Sequence, residues 1–171
     1  MTNPHITLVL GGARSGKSIF AERLAVESGL SRVYLATAEA FDTEMEERIS
    51  RHKQDRGPGW KTVEEPVDLS QALTIHAREE RVILVDCLTL WVSNLMGQEA
   101  DINTAFDTLI NSVNELKGSV IFVSNEVGQG IVPDNKMARE YRDHAGRLHQ
   151  RLAEKADRVY FITAGLPQIL K

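Results

Sequence analysis

Six short apolar runs punctuate this chain, and the stretches between them carry helical spacing. Ile6 to Leu10, Val33 to Ala38, Val82 to Asp86, Val120 to Ser124 and Val159 to Thr163 show little polar alternation, as strands covered on both faces do. Trp60 to Glu64 is a weaker, strand-like sixth, and Val159 to Thr163 is the last. Between the runs, apolar residues return every three or four positions. Ile19, Phe20, Leu24 and Ala25 share one side of a helix that Gly29 ends. Asp68 reads as the N-cap of a helix through Leu69, Ala72, Leu73 and His76. Leu88 to Met96 is apolar enough for a buried helix, with Ser93 and Asn94 as its polar exceptions. Asp101 to Leu116 carries the cleanest stripe, and Asn135 to Lys155 reads as one long helix. Strand and helix thus alternate. The expected class is α/β, a mostly parallel sheet flanked by helices, organised as a single domain over residues 1–171.

One helical segment departs from the rest. Asp42 to Arg56 has Met45 and Ile49 as its only large apolar side chains, with acids leading and bases following, as the helix dipole favours. So thin an apolar face predicts a helix lying on the body, with Arg56-Gly57-Pro58-Gly59 as a flexible exit.

Composition narrows the function classes. The 171 residues are 42% hydrophobic and 26% charged, with a formal charge of −4, so no global basic field favours nucleic acid or an anionic membrane. Cys87 stands alone, which excludes an intrachain disulfide and suits a reducing compartment. Met1 to His5 lacks the pattern of a signal peptide, and no apolar stretch is long enough to span a bilayer. A soluble, cytoplasmic protein without membrane or nucleic-acid partners is expected.

The chemistry begins at Gly11-Gly12-Ala13-Arg14-Ser15-Gly16-Lys17-Ser18. It matches G-x-x-x-x-G-K-[ST] and lies between a predicted strand and a predicted helix, the context this phosphate-binding loop requires. Backbone amides and the helix N-terminus would hold nucleotide phosphates. Lys17 would reach the β/γ-phosphates, and the Ser18 hydroxyl would ligate Mg²⁺. Asp86, a carboxylate ending an apolar strand, is the matching second metal residue. His52 supplies a candidate nucleophile: Met45, Ile49, His52 and Arg56 fall on one stripe, so His52 should face whatever Met45 and Ile49 pack on. Arg48, Arg51, Lys53 and Arg56 around it would stabilise charge building on a phosphate under attack. His5, His76, His144 and His149 lack that setting and read as surface or structural.

Further motifs join these. They are Ala36-Thr37-Ala38, Arg48-Ile49-x-x-His52, Trp60-x-Thr62-x-Glu64, Asp86-Cys87-Leu88-Thr89-Leu90-Trp91 with Asn94, Ser124 to Gly128 with Gly130 to Pro133, Arg139, Arg142-Asp143 and Ala164 to Pro167. In this order the chain resembles the bifunctional adenosylcobinamide kinase / adenosylcobinamide-phosphate guanylyltransferase family of cobalamin biosynthesis. The resemblance implies a RecA-like, three-layer P-loop NTPase fold, homotrimeric assembly and two reactions. The γ-phosphate of ATP or GTP moves to adenosylcobinamide. His52 then attacks the α-phosphate of GTP, and the GMP it holds passes to adenosylcobinamide phosphate, giving adenosylcobinamide-GDP. Carried over by motif, Gly11 to Ser18 bind phosphates, and Ala36, Thr37, Ala38, Lys53, Gln54, Asp55, Arg56, Glu64 and Asp86 are further GTP contacts. His149 stands where the family pattern leads one to expect asparagine.

Two other readings compete: a P-loop kinase of another small molecule with His52 merely structural, and a RecA-type nucleic-acid-binding ATPase. Attack at the α-phosphate and transfer of the γ-phosphate need different groups in line, so one P-loop serving both implies that the nucleotide or the His52 helix shifts.

Overall fold

The computed structural model describes residues 5–171; Met1 to Pro4, read above for leader features, lie outside the described residues. Its elements are, in order, β1 (Ile6–Gly11), α1 (Lys17–Glu27), β2 (Ser31–Ala36), α2 (Thr43–Arg56), β3 (Trp60–Glu64), α3 (Leu69–His76) and β4 (Arg81–Asp86). They continue with α4 (Leu88–Gly97), α5 (Ile102–Val113), β5 (Ser119–Asn125), α6 (Lys136–Lys155), β6 (Arg158–Thr163) and β7 (Leu166–Ile169). The strands join in one sheet of order β3-β2-β4-β5-β1-β6-β7. All pairings are parallel except β6 with β7.

Two elements differ in extent from the sequence expectation, and one strand is additional to it. β2 ends at Ala36, so Thr37 and Ala38 have left the ladder, and α5 is shorter at both ends than Asp101 to Leu116. β6 is followed by a further strand, β7, which includes Pro167 and forms the sheet's edge. An edge tolerates proline because one side of its backbone has no ladder partner to satisfy.

Side-chain alternation along the central strands builds the layers. Leu8, Ile83, Val85, Val120 and Phe122 point into one apolar cluster with Leu73, Trp91, Leu109 and Leu148 from α3 to α6. Val9, Val82, Leu84, Ile121 and Val123 point the other way, onto Phe20, Ala21 and Ala25 of α1. Each fully buried Val, Leu or Ile contributes about 1.5–3 kcal/mol relative to exposure. The helix N-termini follow the sequence closely: Asp42, Asp68, Asp101 and Asn135 each accept a hydrogen bond from the backbone amide three residues on. α1 is different, because Gly16 precedes it in the left-handed region and offers no side-chain cap. Its first amides are left for a ligand.

α2 belongs to neither layer. Every residue in it is exposed or half-buried, as the sparse apolar face requires.

Candidate functional site

Parallel register collects the site at the carboxyl ends of the strands. Gly11 pairs with Asn125, while Ala36 lies beside both Glu64 and Asp86, so residues far apart in sequence end in one row. Three strand ends are knitted further by polar side chains. Thr37 Oγ1 donates to the Cys87 carbonyl at 2.7 Å and accepts from the Cys87 amide at 2.9 Å. Asn94, polar within the buried helix α4, donates to the carbonyls of Thr37 at 2.8 Å and Pro66 at 2.9 Å. Thr89 Oγ1 accepts from the Asn125 side-chain amide at 3.2 Å.

The P-loop curls over the end of β1. Arg14 (φ 55°) and Gly16 (φ 93°) take left-handed conformations, the alternation that turns successive amides toward one concavity. Gly16 meets that requirement without the Cβ penalty, and a Cβ there would also come within 3.1 Å of Gly165 Cα. Gly165 in turn donates its amide to the Ser15 carbonyl at 2.7 Å, so the β6–β7 turn braces the loop. Lys17 is buried and donates to the Gly12 carbonyl at 3.2 Å. Burial holds its ammonium below the usual lysine range, with Asp86 pulling in the opposite direction. Its partner is a backbone oxygen, so the charge is available to a phosphate.

A cavity of about 720 Å³ opens over this loop, lined by Ala13 to Ser18 and also by Arg48, Arg51, His52, Asp55, Asp86 and Asn125. Expected loop, carboxylate and histidine thus share one space. On the stripe that Met45, Ile49, His52 and Arg56 share, the other three are half-buried and His52 is exposed within the cavity. The reason is the helix's position outside the layers, which leaves no core for that face to meet.

The remaining expected nucleotide contacts separate. Ala38 and Glu64 line a neighbouring cavity on the Ile49 and Ser50 side of α2. Thr37 is fully buried. Lys53 pairs with Glu64 at 3.3 Å, both largely exposed. Gln54 lies in an outer hollow with Thr43, Glu47 and Arg51, away from the P-loop. Arg56 stacks on Tyr34, with Cζ 3.4 Å from the ring centre.

Asp86 is held from one side only. Tyr34 donates its hydroxyl to Asp86 Oδ2 at 2.7 Å, and Oδ1 has no protein partner among the described residues. Burial, then Asp86 itself, pushes the Tyr34 phenol far above its ordinary value, so it stays a donor. Ser18, in the same cavity, likewise has no protein hydrogen bond from its hydroxyl among the described residues. One carboxylate oxygen and one hydroxyl suit a small hard cation, which takes few protein oxygens and completes its shell with water and phosphate. Clusters of three or more His, Cys, Asp or Glu that could enclose a metal are absent among the described residues. Cys87 is buried with its Sγ 3.1 Å from Thr89 Oγ1, and burial raises its thiol, which disfavours the reactive thiolate.

Known proteins resemble this chain. A family model described as cobinamide kinase / cobinamide phosphate guanyltransferase matches residues 7–170. The bifunctional adenosylcobalamin biosynthesis protein CobP of Pseudomonas aeruginosa is 49% identical, covering 96% of each chain. The bifunctional adenosylcobalamin biosynthesis protein CobU of Escherichia coli is 37% identical over 93% of this chain and 96% of its own. The crystal structure of flagellar accessory protein FlaH from Methanocaldococcus jannaschii superposes with a TM-score of 0.53 at 15% identity, covering 99% of this chain and 80% of that one. At that identity the likeness concerns the fold, a RecA-like P-loop architecture as the family resemblance implies. Among the described residues, no helix is long and apolar enough to cross a membrane.

Proposed function

The chain belongs to the cobinamide kinase / cobinamide phosphate guanyltransferase family, and from that premise we propose that its guanylyl transfer runs through a covalent GMP on His52. Of the readings open at the sequence, family membership selects the bifunctional transferase of cobalamin biosynthesis. The observation that carries the histidine assignment is the shared cavity: His52, on a helix outside the core, opens onto the same space as the entire Ala13 to Ser18 loop.

In this mechanism the loop amides and Lys17 hold the GTP phosphates. His52 attacks the α-phosphorus, a nitrogen–phosphorus bond forms, and pyrophosphate leaves. Arg48 and Arg51, in the same cavity, offset the charge that develops. The phosphate of adenosylcobinamide phosphate then displaces the histidine, giving adenosylcobinamide-GDP. In the other reaction the γ-phosphate of ATP or GTP passes to the hydroxyl of adenosylcobinamide. Ser18 and Asp86 would hold Mg²⁺, which supplies charge neutralisation at the phosphates.

Ala36, Thr37, Ala38, Lys53, Gln54, Asp55, Arg56 and Glu64 complete the proposed set of GTP contacts. They lie on both sides of α2, so one nucleotide reaches them all only if that helix shifts between the two reactions. Homotrimeric assembly, a cytoplasmic location and one catalytic domain over residues 1–171 complete the reading. Sedimentation equilibrium at three chain masses is the expected result for the assembly.

The deciding experiment uses GTP labelled at the α-phosphate. Wild-type protein is expected to take up acid-labile, alkali-stable label, and His52→Ala none. Label persisting in the variant, or absent from the wild type, would overturn the assignment.

A further inference from the structure

The helix that carries His52 is attached to the body by few side chains. The Lys53–Glu64 pair is largely exposed, and such pairs contribute little. The closer attachment is one turn beyond His52, where Arg56 lies over the Tyr34 ring with Cζ 3.4 Å from its centre. Arg56 Nε is buried without a hydrogen-bond partner among the described residues, so the face of the ring is what it meets. A planar guanidinium suits that role better than an ammonium.

Tyr34 is 6% exposed, in β2. It pairs across the sheet with Leu84, so its ring and the side chain of Asp86, two residues further along β4, project from the same face. Packing there requires only the ring. The hydroxyl, which a buried tyrosine must satisfy, is spent on Asp86 Oδ2 at 2.7 Å. Trp60 meets the Tyr34 ring edge-on at 6.1 Å, and Arg32 lies over Trp60 at 5.5 Å while donating to the Pro58 carbonyl at 3.4 Å. Arg56, Tyr34, Trp60 and Arg32 therefore form a cation–aromatic ladder that ties the end of α2 and its exit turn to the sheet.

We propose that Tyr34 is a positioning residue, whose ring fixes the last turn of the helix bearing His52 while its hydroxyl fixes the carboxylate of Asp86. One side chain thereby sets the nucleophile's helix and the proposed metal-binding carboxylate relative to each other. The inference rests on the roles given above to His52 and Asp86. Groups that orient a ligating carboxylate commonly change metal affinity by tenfold or more.

Three variants separate the two contacts. Tyr34→Phe keeps the stacking surface and loses the hydroxyl, Tyr34→Leu loses both, and Arg56→Gln removes the cation without touching the buried strand. Hydrogen exchange of the amides of residues 50–56, without nucleotide, is expected to rise about threefold or more in Tyr34→Leu and Arg56→Gln. In Tyr34→Phe it should stay within about twofold of wild type. The Mg²⁺ concentration for half-maximal GTP binding, read by equilibrium dialysis, is expected to rise roughly tenfold in Tyr34→Phe. Unchanged exchange in Arg56→Gln, or an unchanged Mg²⁺ requirement in Tyr34→Phe, overturns the proposal. Neither readout depends on the histidine chemistry. Wild-type α-labelling run alongside shows separately whether the His52 assignment stands.

Discussion

His149 is buried in α6 and shares a 2.6 Å hydrogen bond with Ser124 at the end of β5. Burial lowers the basicity of its ring, with Glu126 opposing, so the folded protein resists protonation there. The unfolded chain takes up that proton near the ordinary value of 6.5. This site therefore costs nothing above that pH, and stability falls as pH drops from 6.5 toward the lower folded value. The urea midpoint is expected to be lower at pH 5.5 than at pH 7.5. His149→Asn, which keeps a hydrogen-bonding group toward Ser124, should narrow the gap. An equal gap in the variant would place the effect elsewhere. At this scale the sequence exposes some roles and hides others. Gly16 and Lys17 are legible because a phosphate loop dictates its own residue types. Tyr34 is not, because its partner Asp86 is set by a strand register that no local pattern records. Its one signal is a phenol inside an apolar run, which must find an acceptor.

Among the elements, α2 shows how far a local pattern reaches. Its cap, its charge order and its lack of a core face are all written in Asp42 to Arg56. The direction in which His52 points is not, since that depends on where a weakly attached helix comes to rest. β7 is hidden in the sequence for a related reason: Leu166-Pro167-Gln168-Ile169 has no strand alternation, and its partner is the antiparallel β6. The turn before β5 has the opposite character, with its demand fixed by one residue. Gly118 has φ of 107°, and a Cβ there would collide with the carbonyl of Arg78, a backbone atom that cannot swing aside. Gly118→Ala is expected to destabilise by about 2 kcal/mol or more, read as a lower urea midpoint with unchanged slope. A midpoint equal to wild type would show that the turn relaxes freely.

Across the molecule, stability should follow the layers. β1, β4 and β5 are covered on both faces, whereas α2 buries no face. Native-state hydrogen exchange is expected to be slowest in those three strands and fastest, among the helices, in α2. Comparable protection of α2 and β4 would contradict that gradient. The alternation of elements, and hence the α/β class, can be read directly from apolar spacing. The strand order cannot, because spacing along a chain does not say that β5 slips between β1 and β4. That insertion is nevertheless what seats Asn125 beside Gly11 and brings the P-loop and Asp86 to one rim.

The cation–aromatic ladder has an optical consequence. The chain has two tryptophans. Trp91 is 1% exposed in the core, while Trp60 is a rung between Arg32 and Tyr34 at the foot of α2. Emission from the first should stay constant while the sheet is intact. Emission from the second should change whenever the helix bearing His52 lifts from its anchor. With Trp91 replaced by Phe, the protein would report any motion of α2 in real time, with no dye attached.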